Sequence, residues 1–260
     1  MKTICVFTKY KDTVSWTQDT KRELFKEGKI IWEAYDIIRY GEYDKINWDE
    51  IIIIEYSDED KYDQSLEDLR ENSKLEKFRA YLFDPYPGEQ QTKINIMMEK
   101  AKNDPSVDIT PGGTLEELYS TNELYSMSKD FLNNLFYGEY QGDIQVINFM
   151  KYPEVAVYQD GHRAEGEIGK DTYKHYGRAV MQVQGKLGAH YDASGRVRAT
   201  IESDLDFDWD AYLFVHYPTV KSFAQTLTAK TRWPFLKDQH AGLEQAYSYI
   251  AKASSCNLFK

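Results

Sequence analysis

The chain contains one apolar segment twice, each time directly after a Trp-Asp pair. Residues 48–56 read WDEIIIIEY, and residues 209–217, which lie 161 positions later, read WDAYLFVHY. Upstream, residues 7–10 (FTKY) match residues 149–152 (FMKY). Segments that recur in the same order at a long period indicate a repeated structural unit. The sequence therefore predicts a tandem duplication.

Two shorter matches lie between these anchors. Residues 28–30 (GKI) match residues 185–187 (GKL), and residues 35–36 match residues 191–192, both YD. Extra residues in the second copy, around positions 162–170, account for the growing offset. Four matches in the same order strengthen the prediction of a duplication.

The second copy gives the clearest order of elements. Residues 144–152 and 209–217 predict strands, and residues 171–184 predict an amphipathic helix. Residues 187–191 and 197–202 predict a hairpin around the turn-forming residues 192–195 (DASG). Thr219 begins a helix that Pro234 interrupts and that resumes to about Ala251, before a short final strand within residues 254–260.

Apart from one additional strand in the hairpin, this is the order of strand, helix, two strands, helix and strand of a ferredoxin-like βαββαβ unit. We expect an α+β fold with two such units, residues 1–100 and residues 140–260. The linker between them, residues 101–139, contains a further helix that Thr114 caps and that ends near Phe136. Pairing of the two units within the chain and pairing across a homodimer are both compatible with the sequence.

The composition excludes several classes of function. The net charge is −11 and no basic stripe interrupts it, so a nucleic-acid backbone would be repelled. The longest apolar run, residues 51–54, is far too short to span a membrane, so no membrane partner is expected. Two cysteines give no disulfide framework, which favours a reduced, cytoplasmic setting.

Alternation along the strand at residues 209–217 separates two faces. Leu213 and Val215 share one face, whereas Tyr212, Phe214 and His216 share the other. The aliphatic face is expected to meet the helices, which leaves the second face for the space between the sheets. In the first copy, Glu55 corresponds to His216 on this inner face.

The first strand of each copy is assigned in the same way. Ile147 and Phe149 suit the helix side and leave Asn148 inward, while Cys5 and Phe7 leave Thr8 inward. Asn148, His216, Glu55 and Thr8 would then be polar groups on an otherwise apolar inner wall that also carries Tyr212 and Phe214. A few converging polar groups in an apolar cavity are typical of a small-molecule site.

Three further residues are candidates for this site. His240 shares a predicted helical face with Leu236 and Leu243, and Arg79 is the residue aligned with it in the first copy. Tyr191, next to His190 in the predicted hairpin, is a candidate for substrate binding. The chain lacks the His-Glu-x-x-His and Cys-x-x-Cys patterns of local metal sites, so no metal is expected.

The second half resembles a known group of proteins through three features. These are Val146-Ile147-Asn148 in a first strand, Tyr173-x-x-Tyr176 in a first helix, and a Trp-Asp pair followed by HYP at residues 216–218. In these features it is similar to an uncharacterised ferredoxin-like family of the dimeric α/β-barrel superfamily. That resemblance implies two sheets paired face to face. The superfamily includes cofactor-free monooxygenases, isomerases, haem-dependent enzymes and binding modules, so fold alone leaves function open.

Three functional hypotheses follow. The first is a small-molecule enzyme without a bound cofactor, an isomerase, cyclase or monooxygenase, in which His216 acts as acid and base and Asn148 holds a developing oxyanion. The second is a haem-binding protein in which His240 is the ligand, as the resemblance implies for a helix histidine. The third is a non-catalytic ligand-binding or assembly module.

Overall fold

The strands of both halves of the chain join in one antiparallel sheet. The computed structural model describes all residues outside segments 12–20, 22–23, 26–27, 36, 41–45, 115–116, 118–132, 134–136, 162–165, 253–255 and 259–260. Within the described residues the strands are β1 (Lys2–Tyr10), β2 (Lys29–Tyr35), β3 (Ile38–Tyr40), β4 (Glu50–Tyr56), β5 (Leu75–Pro85), β6 (Ile144–Lys151), β7 (His190–Glu202), β8 (Ala211–Tyr217), β9 (Gln245–Lys252) and β10 (Cys256–Leu258).

The helices pack on the outside of this sheet. Those described are α1 (Glu59–Glu71), α2 (Gly88–Ala101), α3 (Gly169–Lys186), α4 (Val220–Thr228) and α5 (Leu236–Gly242), and a short 3-10 turn, Trp233–Phe235, precedes α5. The cap predicted at Thr114 is present, because the Glu117 amide donates to Thr114 Oγ1 at 3.1 Å. Most of the residues for which the sequence predicts the linker helix lie outside the described residues.

Each half has the same order of strands. In the first half the order is β2-β4-β1-β5, and in the second it is β7-β8-β6-β9. Strand β5 pairs with β7, and β3, which follows β2 closely, pairs with β9, so that the sheet curls into a barrel. The chain thus has an α+β fold of two ferredoxin-like units in a dimeric α/β-barrel arrangement, with the barrel formed within one chain.

The Trp-Asp turn makes the same contacts in both halves. The Asp49 amide donates to the Thr8 carbonyl at 3.0 Å, and the Asp49 carboxylate accepts from the Tyr10 amide at 2.8 Å. In the second half the Asp210 amide donates to the Met150 carbonyl at 2.9 Å, and its carboxylate accepts from the Tyr152 amide at 2.7 Å. Residues 7–10 are therefore structurally equivalent to residues 149–152, and residues 48–56 to residues 209–217. Their origin by duplication stays a prediction.

The match between residues 35–36 and 191–192 is wrong in register. Tyr35 lies opposite Glu50, whereas Ala211, the counterpart of Glu50, lies opposite Arg196 and not opposite Tyr191. Short identical dipeptides align by chance more easily than long segments do. The strand pairing, and not the dipeptide, identifies the equivalent residues.

The barrel interior is filled by side chains from both halves. Phe7 and Phe149 meet near its middle with ring centroids 5.4 Å apart, and Phe83 stacks on Tyr212 at 3.7 Å. The other buried residues of this cluster are Cys5, Trp32, Ala34, Trp48, Ile51, Ile53, Tyr81, Ile147, Val197, Trp209, Phe214, Tyr247, Tyr249 and Ala251. The sheets therefore enclose an aromatic core and not the hollow expected from the sequence.

The interior facing predicted from the sequence is correct for two strands and wrong for two. Ile51, Ile53, Tyr212 and Phe214 face inward as predicted on β4 and β8. On β1 and β6, however, Cys5, Phe7, Ile147 and Phe149 face inward, which turns Thr8 and Asn148 toward the helices. These two strands are apolar on both faces because both faces are buried, so alternation cannot tell the inner side from the outer one.

Two local predictions in the second half are wrong. The predicted hairpin is the single strand β7, which pairs with β8 through its first part and with β5 through its second part. The predicted long helix ends at Gly242, and residues after it form β9, which pairs with β6 and β3. In both places pairing with distant strands overrides the local helix or turn signal. The short last strand is confirmed as β10.

Helix α2 belongs to the first half in sequence but packs on the second. The Asn95 side chain accepts from the Tyr191 amide and donates to the Tyr191 carbonyl, both at 3.0 Å, and Gln91 donates to the same carbonyl at 2.9 Å. Tyr191 lies in the first part of β7, before the residues that pair with β5. The two amide side chains therefore satisfy the backbone groups that a neighbouring strand would otherwise satisfy.

We expect Asn95→Ala to destabilise the protein by about 1–3 kcal/mol, because it leaves the backbone amide of the buried Tyr191 without its acceptor. The measurement is the thermal unfolding midpoint by circular dichroism. Lys93→Ala, at an exposed position of the same helix, is the matched control and should leave the midpoint within a degree or so of the wild-type value. Equal midpoints for the two variants would contradict this role of Asn95.

Candidate functional site

A cavity of about 310 Å³ lies between α3 and the outer face of the second-half sheet. One face of α3 forms one wall, through Lys170, Tyr173, Lys174, Gly177, Arg178, Met181 and Gln184. The other lining residues are Tyr86, Ile94, Val146, Asn148, Met150, Tyr152, Tyr176, Val180, Tyr191, Ser194, Gly195, Ala211, Tyr212, Leu213, Tyr217, Phe223, Thr226, Leu227, Arg232, Gln239 and Ser248. The volume falls at the lower end of the range for small-molecule sites.

The corresponding space in the first half is occupied by a buried charge cluster. Lys21 Nζ donates to Glu50 Oε1 at 2.6 Å, to Tyr35 Oη at 2.6 Å and to Glu33 Oε2 at 3.2 Å. Tyr10 Oη donates to the second oxygen of Glu50 at 2.5 Å. These side chains are buried together on the outer face of the first-half sheet.

The second half carries small residues where the cluster has its carboxylates. Glu50 corresponds to Ala211 through the matched Trp-Asp segments. Glu33 lies opposite Ile52, and the counterpart of Ile52, Leu213, lies opposite Ser194. An alanine and a serine at these two positions account for the empty volume next to them.

The charges in the first-half cluster depend on one another. Burial alone would lower the pKa of Lys21, but the charge and hydrogen bonds of Glu50, Tyr35 and Glu33 outweigh it and raise the pKa of this ammonium group. Burial raises the pKa of Glu50, although Lys21 and Tyr10 partly oppose that shift. Removing one partner would leave a buried charge, so the cluster acts as a unit.

Two hydrogen-bonded amides form the floor of the second-half cavity. Asn148 Oδ1 accepts from Ser248 Oγ at 2.7 Å, and Gln184 is held between Tyr217 Oη at 2.5 Å and Tyr191 Oη at 3.0 Å. Burial raises the pKa of both phenols well above the usual range, so they stay protonated at neutral pH. These groups bind by hydrogen bonding and hold no charge.

Arg232 is the one fully buried cation of the described cavity wall, with 1% of its surface exposed. Its Nε donates to Tyr176 Oη at 3.0 Å, one terminal nitrogen donates to Gln239 Oε1 at 3.2 Å, and the other donates to the Leu227 carbonyl. The guanidinium plane is thereby fixed at the junction of α3, α4 and α5.

The structure does not bring Asn148 and His216 together. Asn148 lines the cavity on the helix side, opposite Leu213 on β8. His216 lies three residues further along β8 and, because of strand alternation, on the other face of the sheet. It is not among the described residues that line the cavity. The pair proposed for proton abstraction and oxyanion binding is therefore not assembled.

His216 instead forms a pair with His190 at one end of the barrel. The ring centroids are 4.6 Å apart, His216 Nε2 lies 3.4 Å from Asp143 Oδ2, and His190 Nε2 lies 3.1 Å from Asp192 Oδ1. The hydrogen bond to Asp192 raises the pKa of His190 above its ordinary value, against the opposing effect of burial.

The remaining candidate residues are dispersed. Tyr212 packs mainly in the barrel interior with Phe214, and Tyr191 lies in the cavity wall. Thr8 donates to Tyr10 Oη at 2.8 Å in the first-half cluster, and Glu55 is half-buried near the end of β4. None of these positions tests a catalytic role.

Arg79 and His240 do not occupy the equivalent positions that the sequence predicted. Arg79 lies on β5, where its Nε donates to Asp204 at 2.5 Å and its guanidinium lies over the Trp48 ring. His240 lies in the last turn of α5. The alignment that paired them is wrong, because the segment around Arg79 is a strand and not a helix. His162 lies outside the described residues.

Four residues of the cavity were not predicted from the sequence: Tyr152, Lys170, Gln184 and Arg232. A signal for the α3 residues was available, because positions 170, 173, 174, 177, 178, 181 and 184 recur at helical spacing on one face. Arg232 had no such signal. It precedes Pro234 in an irregular segment, and only the fold brings it to the cavity.

Haem does not fit this cavity. Histidine and cysteine are absent from the described residues that line it, and His240 lies outside that lining. The raised pKa of Tyr191 and of Tyr217 disfavours the phenolate that iron would need at those positions. No step of any reaction is therefore assigned to a haem group here.

Comparison with known proteins gives only distant likenesses. No protein-family model matches the chain, and no curated protein is significantly similar to it. The RPA0582 protein of unknown function from Rhodopseudomonas palustris shares 22% identity over 48% of this chain and 92% of its own, with a TM-score of 0.43.

Two other solved structures match almost the whole chain. A putative monooxygenase from Lactobacillus acidophilus NCFM shares 9% identity over 96% of this chain and 92% of its own, with a TM-score of 0.39. Chlorite dismutase from Candidatus Nitrospira defluvii shares 6% identity over 96% and 90%, with a TM-score of 0.44. Likenesses this weak do not bear on activity or ligand.

In the part of the chain that is described, no helix is both long enough and apolar enough to cross a membrane.

The histidine pair gives a prediction for pH. A raised folded-state pKa means that protonated His190 stabilises the fold fully below its unfolded pKa of about 6.5, and that this contribution is lost as pH rises through the folded pKa. Asp192→Asn should therefore lower the pKa of His190, as measured by NMR titration of its ring protons. Asp143→Asn is the control and should shift His190 much less. An unchanged His190 titration in Asp192→Asn would disprove the assigned cause.

Proposed function

We propose that this protein binds a small, partly apolar molecule in the cavity between α3 and the second-half sheet. The observation that carries the proposal is the contrast between the two halves. The first half fills the equivalent space with Lys21, Glu33 and Glu50, whereas the second half has Ser194 and Ala211 at the carboxylate positions and an open volume of about 310 Å³.

The lining supports binding of a molecule with both apolar and polar parts. Met150, Met181 and Leu213 supply apolar surface, and several tyrosines combine an apolar ring with a hydroxyl group. The Asn148 and Gln184 amides are fixed by their hydrogen bonds, so they offer groups that need little reordering when a ligand binds.

A binding role is better supported than acid/base catalysis through His216 and Asn148. Imidazole and carboxylate groups are absent from the described residues that line the cavity, so a group that titrates near neutrality is lacking there. The aromatic packing of the barrel interior also occupies the space in which that reaction was expected to take place. Enzymatic activity is therefore not part of the proposal.

The test uses a neutral fluorescent probe and a cavity-filling variant. N-phenylnaphthylamine should bind the full-length protein with saturable fluorescence enhancement. Gly177 lines the cavity, and a Cβ added to it would meet no atom within 4 Å. Gly177→Leu should therefore place a side chain in the cavity and weaken binding about tenfold or more, since it excludes the probe from its apolar surface.

Gly88→Leu is the matched control. A Cβ at Gly88 also meets no atom within 4 Å, but this residue is exposed at the start of α2 and is not part of the lining. The same change in size should leave probe affinity unchanged. Absence of saturable binding to the wild-type protein, or equal loss in both variants, would reject the proposed site.

A further inference from the structure

We infer that the ligand of this cavity is an organic acid whose carboxylate lies next to Tyr152 and Lys170, in the place that the Glu50 side chain takes in the first half. The inference rests on the proposed binding function and names the chemical class of the ligand. Its evidence is the charge of the lining, the equivalence of the two halves and the position of two side chains.

The charge of the lining is opposite to that of the protein. The chain has a net charge of −11, yet the described lining contains the cations Lys170, Lys174, Arg178 and Arg232 and no aspartate or glutamate. Arg232 is buried between Tyr176 of α3 and Gln239 of α5. The other three lie along α3, where Lys170 is half-buried, Lys174 and Arg178 are exposed, and Lys174 pairs with Asp171 at 2.5 Å. A positive potential within an acidic protein attracts an anion and repels a cation.

The first half contains a built-in carboxylate at the equivalent position. Glu50 accepts hydrogen bonds there from Tyr10 at 2.5 Å and from Lys21 at 2.6 Å. In the second half Ala211 replaces Glu50 and provides no acceptor beyond the backbone. A ligand carboxylate above Ala211 would restore the arrangement that the fold already accommodates once.

The donors for such a carboxylate are present in the second half. Tyr152 corresponds to Tyr10, because each tyrosine amide donates to the carboxylate of the Trp-Asp turn, and Tyr152 lines the cavity. Its hydroxyl lies 3.7 Å from Met150 Sδ, which is a weak acceptor that a carboxylate would replace. Lys170 Nζ lies over the face of the Tyr152 ring, 5.9 Å from its centre, so an ammonium group is near this tyrosine.

The experiment compares three ligands that share one skeleton. Phenylbutyrate, phenylbutanol and phenylbutylamine differ only in their anionic, neutral or cationic end, and their affinities for the full-length protein are measured by displacement of N-phenylnaphthylamine. We expect the acid to bind about tenfold more tightly than the alcohol, as for a charge-assisted hydrogen bond, and the amine to bind most weakly.

Two substitutions test where in the cavity the ligand carboxylate binds. Lys170→Met and Tyr152→Phe should each weaken binding of the acid about tenfold and leave the alcohol unchanged. Lys29→Met, at an exposed position of β2, is the control for the loss of one positive charge and should change neither affinity.

A pair of substitutions at Ala211 separates charge from size. Ala211→Glu supplies the first-half carboxylate and Ala211→Gln supplies a neutral group of the same shape. Both substitutions should lower the affinity for the alcohol equally, whereas Ala211→Glu should lower the affinity for the acid more than Ala211→Gln does. Circular dichroism checks folding, and if Ala211→Glu does not fold, the Lys170→Met result alone decides.

The outcomes distinguish this inference from the proposed function. If phenylbutanol binds as tightly as phenylbutyrate, or if Lys170→Met leaves the acid affinity unchanged, the ligand is not recognised as an acid and only the inference fails. If none of the three displaces the probe and the probe itself does not bind, the proposed binding function fails as well.

Discussion

Aromatic packing between the two halves is the interaction on which the rest of the structure depends. Phe7 and Phe149 occupy equivalent positions on the central strands of the two units and meet inside the barrel. Neither unit alone could cover this face, because each contributes one wall of the same core. Since the interior is occupied, any small-molecule site must lie between sheet and helices, where the two units are free to differ.

The two units differ there in chemistry more than in shape. In the first, one lysine is buried with two glutamates on the outer face of the sheet, which is a tolerable arrangement only because each charge has partners. In the second, amides, phenols and cations surround an open volume. One fold thus supports a closed polar core in one unit and an open cavity in the other.

Most of the order of elements could be predicted from the sequence, apart from the hairpin that is β7 and the long helix that gives way to β9. The contents of the barrel could not be predicted. The repeated Trp-Asp segments identify β4 and β8 because a buried strand that follows a fixed turn leaves a long, specific pattern. Strands β1 and β6 are apolar on both faces, so their inner side is decided by the partner sheet and not by their own residues. Asn148 lines the cavity on the helix side of the sheet, which is opposite to the side predicted for it, and its role in binding stays a prediction.

Candidate residues far from the repeated segments were less predictable. His240 and Arg79 were paired by an alignment that read the segment around Arg79 as a helix, whereas that segment forms β5. A run of apolar residues at mixed spacing is compatible with either structure. Arg232 could not be found from the sequence, since its place depends on how α4, α5 and the 3-10 turn pack. Lys170 and Gln184 could have been found from the polar edge of α3.

The boundary between the two units along the chain is not their boundary in space, because α2 belongs to the first unit in the chain but packs on the second. Helix α2 follows β5 in the chain, yet Asn95 and Gln91 hold β7, and Gly185 has no side chain to separate α3 from the backbone of Met98. A fragment that begins at residue 140 would therefore lack the helix that covers its own first edge strand. Separate production of the second unit calls for a chain that retains α2, for example as a circular permutant or with the helix added as a peptide.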